Sequence, residues 1–147
     1  MKIGTVCSRN PVTASVSASL ADVARLMYEN NVGTVIVTSN PADRPVASGI
    51  VTDRDIVRAQ LTHAADLSRL NAAEVMTRDP LVVCEDDSTE DALRRMRERG
   101  VRRAPVISAS GALTGIVSTD DLIAHLAQEF GALARLLERQ AGRGVGT

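Results

Sequence analysis

Apolar residues in this chain follow two rhythms, and the alternation between them is written twice. In one rhythm Leu20, Val23, Ala24 and Met27 recur at helical spacing, as do Ala92, Leu93 and Met96. In the other, the short apolar runs VGTVIVT and RRAPVIS are bounded by polar or Gly- and Pro-rich segments, as buried strands are. Superposing the halves at one constant offset gives identities at Val6/Val75, Arg9/Arg78, Pro11/Pro80, Ser19/Ser88, Asp22/Asp91, Arg25/Arg94, Met27/Met96, Glu29/Glu98 and Val32/Val101. After a loop that is longer in the first copy (SNPADRPVAS against SASGALT), the match resumes as GIVTDRDIV from Gly49 and GIVSTDDLI from Gly115.

Each copy reads as a short strand after the proline, a helix, two strands and a closing helix. The prediction is a mixed α/β (α+β) fold of two β-α-β-β-α repeats packed with pseudo-two-fold symmetry. Repeat 1 is placed at residues 4–60 and repeat 2 at 75–127, with a connector over 61–74 whose breaker-free composition predicts helix. Beyond it, residues 128–147 carry on a C-terminal amphipathic helix. Its apolar stripe is Leu122, Leu126, Phe130, Leu133 and Leu137, and Arg135, Arg139 and Arg143 lie near its end, where cations suit the helix dipole. That stripe is expected to pack on the body or on a sister chain, with an effector contact as the alternative.

Composition narrows the partners. A chain of 147 residues suits one domain, or two small units sharing one core. The formal net charge is −1, and there is one Phe, one Tyr and no Trp. Neither long-range attraction for nucleic acid nor a base-stacking platform is present, so a nucleic-acid partner is not expected. No apolar run approaches the ~20 residues that cross a bilayer, so neither a membrane partner nor a location outside the cytoplasm is expected. Cys7 and Cys84 are far apart and predict buried small side chains rather than a disulfide or metal site.

The pattern richest in chemistry is a strand, then Thr52-Asp53-Arg54-Asp55, then a helix, echoed by Ser118-Thr119-Asp120-Asp121. A hydroxyl followed three residues later by an acid is a capping box, and Ser19/Asp22 and Ser88/Asp91 repeat that spacing at the other helices. Position separates them: only Thr52 and Ser118 directly follow an apolar strand. A helix N-terminus at the end of a strand suits a phosphate, and a carboxylate one turn in suits a ribose diol.

The doubled unit, the repeated G-I-V-[TS]-x-x-D and the segment V-R-R-A-P-V-I-S resemble a pair of CBS domains, the cystathionine β-synthase type regulatory module, over about residues 4–127. The likeness is closest to stand-alone bacterial pairs. It implies two clefts for adenosine-containing ligands: AMP, ADP or ATP first, S-adenosylmethionine or NAD second, with no obligatory cofactor. In one cleft, Asp55 and Thr52 with Arg54 would meet ribose and phosphate. Ile50 with Pro80, Leu81 and Val82 would enclose the adenine, and Arg102 and Arg103 would approach phosphate. The other cleft would use Ile116, Ser118, Asp120 and Asp121 with Pro11, Val12 and Thr13. Its basic positions fall on Gly33 and Thr34, so it is expected to lack a phosphate clamp and to be the weaker.

Arg102 and Arg103 have a plainer reading, as a solvated strand edge or as ion partners of Glu98 or Asp91. His63 and His125 have no second ligand nearby in sequence, and no metal site is expected. Without a nucleophile-base pair or phosphate-binding glycine loop, catalysis is not expected either. The function that follows is a sensor of adenine nucleotides, a homodimer acting on an effector protein in trans. The alternative is a structural or interaction module with vestigial clefts.

Overall fold

Ser19 and Ser88 start the first helix of each copy by the same device. Each hydroxyl accepts the N–H three residues on, from Asp22 and from Asp91, at 3.1 Å. Helix α1 (Leu20–Asn30) buries Leu20, Val23 and Met27, and ends at Asn31, whose left-handed φ of 52° lets its N–H close on the carbonyls of Met27 and Tyr28. The computed structural model describes residues 1–39, 46–63 and 66–144.

Ahead of α1 lie β1 (Ser8–Arg9) and β2 (Thr13–Ser15), and after it β3 (Thr34–Ser39), β4 (Val46–Thr52) and α2 (Asp53–His63). The second copy contributes α3 (Ala72–Val75), β5 (Thr77–Arg78), β6 (Val83–Cys84), α4 (Thr89–Arg99), β7 (Arg103–Ile107), β8 (Leu113–Ser118) and α5 (Thr119–Gly144). Val46, Ala47 and Ser48, expected in the longer loop, belong to β4, with Val46 opposite Ser39 and Ala47 opposite Thr38; the rest of that loop, 40–45, lies outside the described residues.

Two four-stranded sheets form, in the orders β2-β3-β4-β5 and β1-β8-β7-β6. Each therefore ends on a strand from the other repeat: β5 pairs with β4, and β1 with β8, both antiparallel. The glycines of the two G-I-V motifs make room for this exchange. A Cβ on Gly115 would stand 2.6 Å from the Ser8 carbonyl oxygen, and one on Gly49 would collide with the Met76 side chain at Sδ.

The single shared core expected from length is instead two clusters, each completed across the repeat boundary. One gathers Leu20, Val23, Val35, Val37 and Val51 with Ala72 and Met76. The other gathers Leu81, Val83, Met96, Val106 and Val117 with Ile3 from the start of the chain. Two thin sheets each have their own face to bury, and the exchanged segments supply what each unit lacks.

The expected connector helix is broken. Helix α2 spans Asp53–His63, Leu67–Arg69 form one 3-10 turn capped by Asp66, and Leu70 is extended before the Asn71/Glu74 box that opens α3. Tertiary bonds explain the break: the Leu20 N–H donates to the Leu70 carbonyl at 2.8 Å, and the Ala72 N–H to the Ala18 carbonyl at 2.8 Å. Ala64 and Ala65 of the connector, and residues 145–147 of the tail, lie outside the described residues.

Candidate functional site

Of the four boxes read from spacing, only the two that follow strands close in both directions. Asp55 Oδ2 accepts the Thr52 N–H at 2.8 Å while Thr52 Oγ1 accepts the Asp55 N–H at 3.2 Å. Asp121 Oδ2 and Ser118 Oγ repeat this at 2.9 and 3.2 Å. Asp22 and Asp91 turn their carboxylates to Arg25 and Arg94 instead. The reciprocal boxes hold each carboxylate by one oxygen beside a helix N-terminus, leaving Oδ1 for another donor.

Around the Ser118 terminus the two repeats enclose a cleft of ≈ 320 Å³. Its apolar walls are Pro11, Val12, Val32 and Ile116, and its polar groups are Ser118, Asp121, Thr34, Arg9 and Arg103. Thr34 is nine-tenths buried, and its Oγ1 lacks any hydrogen-bond partner. A buried hydroxyl left so costs on the order of 1–3 kcal/mol. Arg9 is already engaged, by Glu85 Oε2 at 3.0 Å and the Gly4 carbonyl at 2.9 Å.

The second cleft, at the end of β4, is ≈ 180 Å³ and lined by Ile50, Thr52, Thr77, Pro80, Leu81, Val101, Arg102 and Arg103. Its acceptors differ from those of the larger one. The Ile36 N–H donates to the Val12 carbonyl at 3.0 Å. Pro105, at the equivalent place, has no N–H, so the Leu81 carbonyl goes without that donor.

The sequence reading of these clefts is corrected at several residues. Arg103 lines both clefts, so the one expected to lack a cation has one, with Arg9 beside it. Asp55 lies instead in a separate hollow with Arg58, Thr62, His63 and Glu74. Val82, expected to enclose the adenine, lines neither cleft, and its carbonyl accepts from Arg95 Nη2 at 2.8 Å. Arg54 and Asp120 are exposed in the first turns of their helices, and Thr13 is exposed on β2; none of the three lines either cleft.

Ile50, Thr52, Pro80, Arg102 and Arg103 do meet in the smaller cleft, and Pro11, Ile116, Ser118 and Asp121 in the larger. Ser8, Arg9, Asn10 and Thr77 were missed as lining residues. The identity of Arg9 with Arg78 was the available signal for Arg9. Arg102 and Arg103 are exposed, as the solvated-edge reading expects, and Glu98 and Asp91 pair with Arg94 rather than with either of them. Among the described residues no group of three or more His, Cys, Asp or Glu is placed to hold a metal, and no helix is long and apolar enough to cross a membrane.

Comparison with known proteins gives this architecture a family. The CBS domain family matches twice, over residues 3–62 and 72–128. An uncharacterized 17.7 kDa protein of Acidianus ambivalens is 33% identical over 148 aligned positions, covering 98% of this chain and 85% of that protein. An uncharacterized protein of Methanopyrus kandleri is 29% identical over 84% of this chain, which spans only 61% of that relative. The solved structure of a CBS domain protein from Pyrobaculum aerophilum complexed with AMP superposes with a TM-score of 0.72 at 29% identity, covering 83% of this chain and 90% of that one. Two family matches on the two repeats, each with its strand-to-helix box at a cleft, make this chain a member of the CBS domain family.

Proposed function

We propose that the chain is a sensor that binds an adenine nucleotide in the larger cleft and passes the bound state to a partner protein in trans. One observation carries this reading: Asp121, the helix N-terminus at Ser118, Arg103 and the Pro11–Val12 wall of the opposite repeat line one aliphatic cleft. Asp121 suits a ribose diol. The Ser118 terminus and the Arg103 guanidinium suit phosphate, and Pro11, Val12, Val32 and Ile116 suit a flat base. Its ≈ 320 Å³ falls within the ~300–1,000 Å³ usual for small-molecule sites, and the ≈ 180 Å³ of the other cleft falls below it. The AMP held by the Pyrobaculum aerophilum protein supports the ligand class.

The order of the clefts is thus the reverse of the sequence expectation. The smaller cleft, with Arg102 and the Leu81 carbonyl, is the weaker site and takes a second ligand only at high concentration. Pro11 and Thr34 come from one repeat, and Arg103 and Ser118 from the other. A ligand touching all four favours the closed arrangement by its differential affinity, and the altered outer surface is what the partner reads.

Calorimetry and thermal melting with AMP, ADP, ATP and adenosine test this. One dominant site is expected, tighter for AMP than for adenosine, and ligand at about a hundred times its Kd should add about 2.7 kcal/mol of stability. No heat and no melting shift with any of the four would sink the sensor and leave an interaction module with vestigial clefts.

A further inference from the structure

A single side chain joins the two clefts. Among the described residues, Arg103 alone lines both. Its place in the repeats explains the reach. Arg103 opens β7 opposite Ser118, the residue before α5, and its counterpart in the first repeat, Thr34, opens β3 opposite Thr52, the residue before α2. Two-fold symmetry would put a guanidinium at both places, one for each cleft. Thr34 is short, uncharged and buried, so one guanidinium stands where a faithful repeat would supply two.

The other cations do not make up the difference. In the larger cleft Arg9 is held by Glu85 and by the Gly4 carbonyl. In the smaller one its counterpart Arg78 donates to the Ala73 carbonyl at 3.0 Å and lies outside the lining, leaving Arg102. Arg103 is exposed, and among the described residues no ion pair or side-chain hydrogen bond engages it. It can turn to whichever cleft presents an anion first.

A guanidinium fork matches two oxygens of one phosphate, and a phosphate monoester carries roughly −1.5 to −2 charges near pH 7. Once Arg103 has closed on a phosphate in one cleft, a second phosphate arriving in the other meets a cation already neutralised and an anion beside it. We propose that the clefts are antagonistic toward phosphorylated ligands: AMP in the larger cleft engages Arg103 and weakens AMP at the smaller, whereas an unphosphorylated nucleoside enters the smaller cleft unhindered. The proposal rests on the adenine-nucleotide reading of the larger cleft and adds to it a rule of occupancy. Because coupling between two binding sites is reciprocal, AMP in the smaller cleft weakens the larger by the same factor. Singly occupied protein then persists over a wide range of AMP concentration, and the favoured doubly occupied state pairs one phosphorylated ligand with one unphosphorylated ligand.

Calorimetry on the full chain with one cleft blocked at a time measures the coupling. Val32 and Val101 are counterparts that line the larger and the smaller cleft, so Val32→Trp fills the first and Val101→Trp the second. Val32 is 36% exposed and tolerates bulk; if a thermal melt shows that its Trp variant has not folded, Val32→Phe takes its place. AMP should bind the smaller cleft of the Val32→Trp chain about 10- to 100-fold more tightly than it binds as the second ligand of the parent chain, the loss expected when one hydrogen bond to a charged group is withdrawn. Adenosine should bind the smaller cleft equally in the two chains, and with Arg103→Ala added to both the two AMP values should converge. Equal AMP values in the two chains, no AMP binding to Val32→Trp, or an equal penalty for adenosine overturns the antagonism and leaves the sensor standing. Loss of AMP binding from Val101→Trp, with its melt intact, overturns the sensor itself and the antagonism with it.

Discussion

The cleft beside α5 and the cleft beside α2 begin from one sequence unit and differ in what the opposite repeat brings. Both start at a strand-to-helix box that closes in both directions. Beside α5 Asp121 itself lines the cleft, and the opposite repeat adds Pro11, Val12 and Thr34. Beside α2 Asp55 lines a separate hollow, and the opposite repeat adds Arg102, Arg103 and a proline that frees the Leu81 carbonyl. Equal helix starts therefore do not make equal sites. The lesson concerns Arg103 most, because it borders both clefts and can serve a phosphate in only one at a time.

The largest effect is expected at that arginine. A hydrogen bond to a charged group contributes ~1.5–3 kcal/mol, so Arg103→Ala should weaken AMP about 10- to 100-fold and leave adenosine nearly unchanged. Arg102→Ala should spare the larger cleft. If calorimetry finds the two substitutions equivalent, the division between clefts is wrong.

Next comes the framework that holds the walls. Gly115→Ala drives a Cβ against the Ser8 backbone, so a loss of about 1–3 kcal/mol is expected in denaturant melts. Gly49→Ala meets the flexible side chain of Met76, so its loss should be the smaller. Equal losses would mean that the exchanged strand is no more rigid at one cleft than at the other.

The smallest effect should be at Thr34. Thr34→Val removes a buried hydroxyl without a partner among the described residues, so the ligand-free protein should gain about 1 kcal/mol in denaturant melts, with AMP affinity nearly unchanged. A less stable variant would show that the hydroxyl has a partner in solution.

Much of the architecture was legible because it is local. Ser19, Asp22 and the spacing of Leu20, Val23 and Met27 specify a helix and its buried face without reference to the rest of the molecule. The repeat then carries the same reading to Ser88, Asp91 and Met96. Thr52 and Ser118 followed from their position after a strand, and Ile50, Ile116, Pro11 and Pro80 from the resemblance to a CBS pair; all six line one of the two clefts.

Where the reading failed, the deciding contact lies outside the local pattern of the residues concerned. The composition of residues 61–74 favours helix, yet Leu70 is extended because its carbonyl takes the Leu20 N–H, far away in sequence. Val82 offers a carbonyl in sequence, yet Arg95 from the following helix occupies it. By itself the sequence determined the doubled unit, its capped helices, its buried strands and the apolar stripe of α5, since each depends on residues within a few turns of one another. Only the tertiary structure decided which strands are exchanged, where Arg103 reaches and which carboxylate faces a cleft. Those depend on how two similar surfaces meet, and the periodicity of neither repeat encodes that.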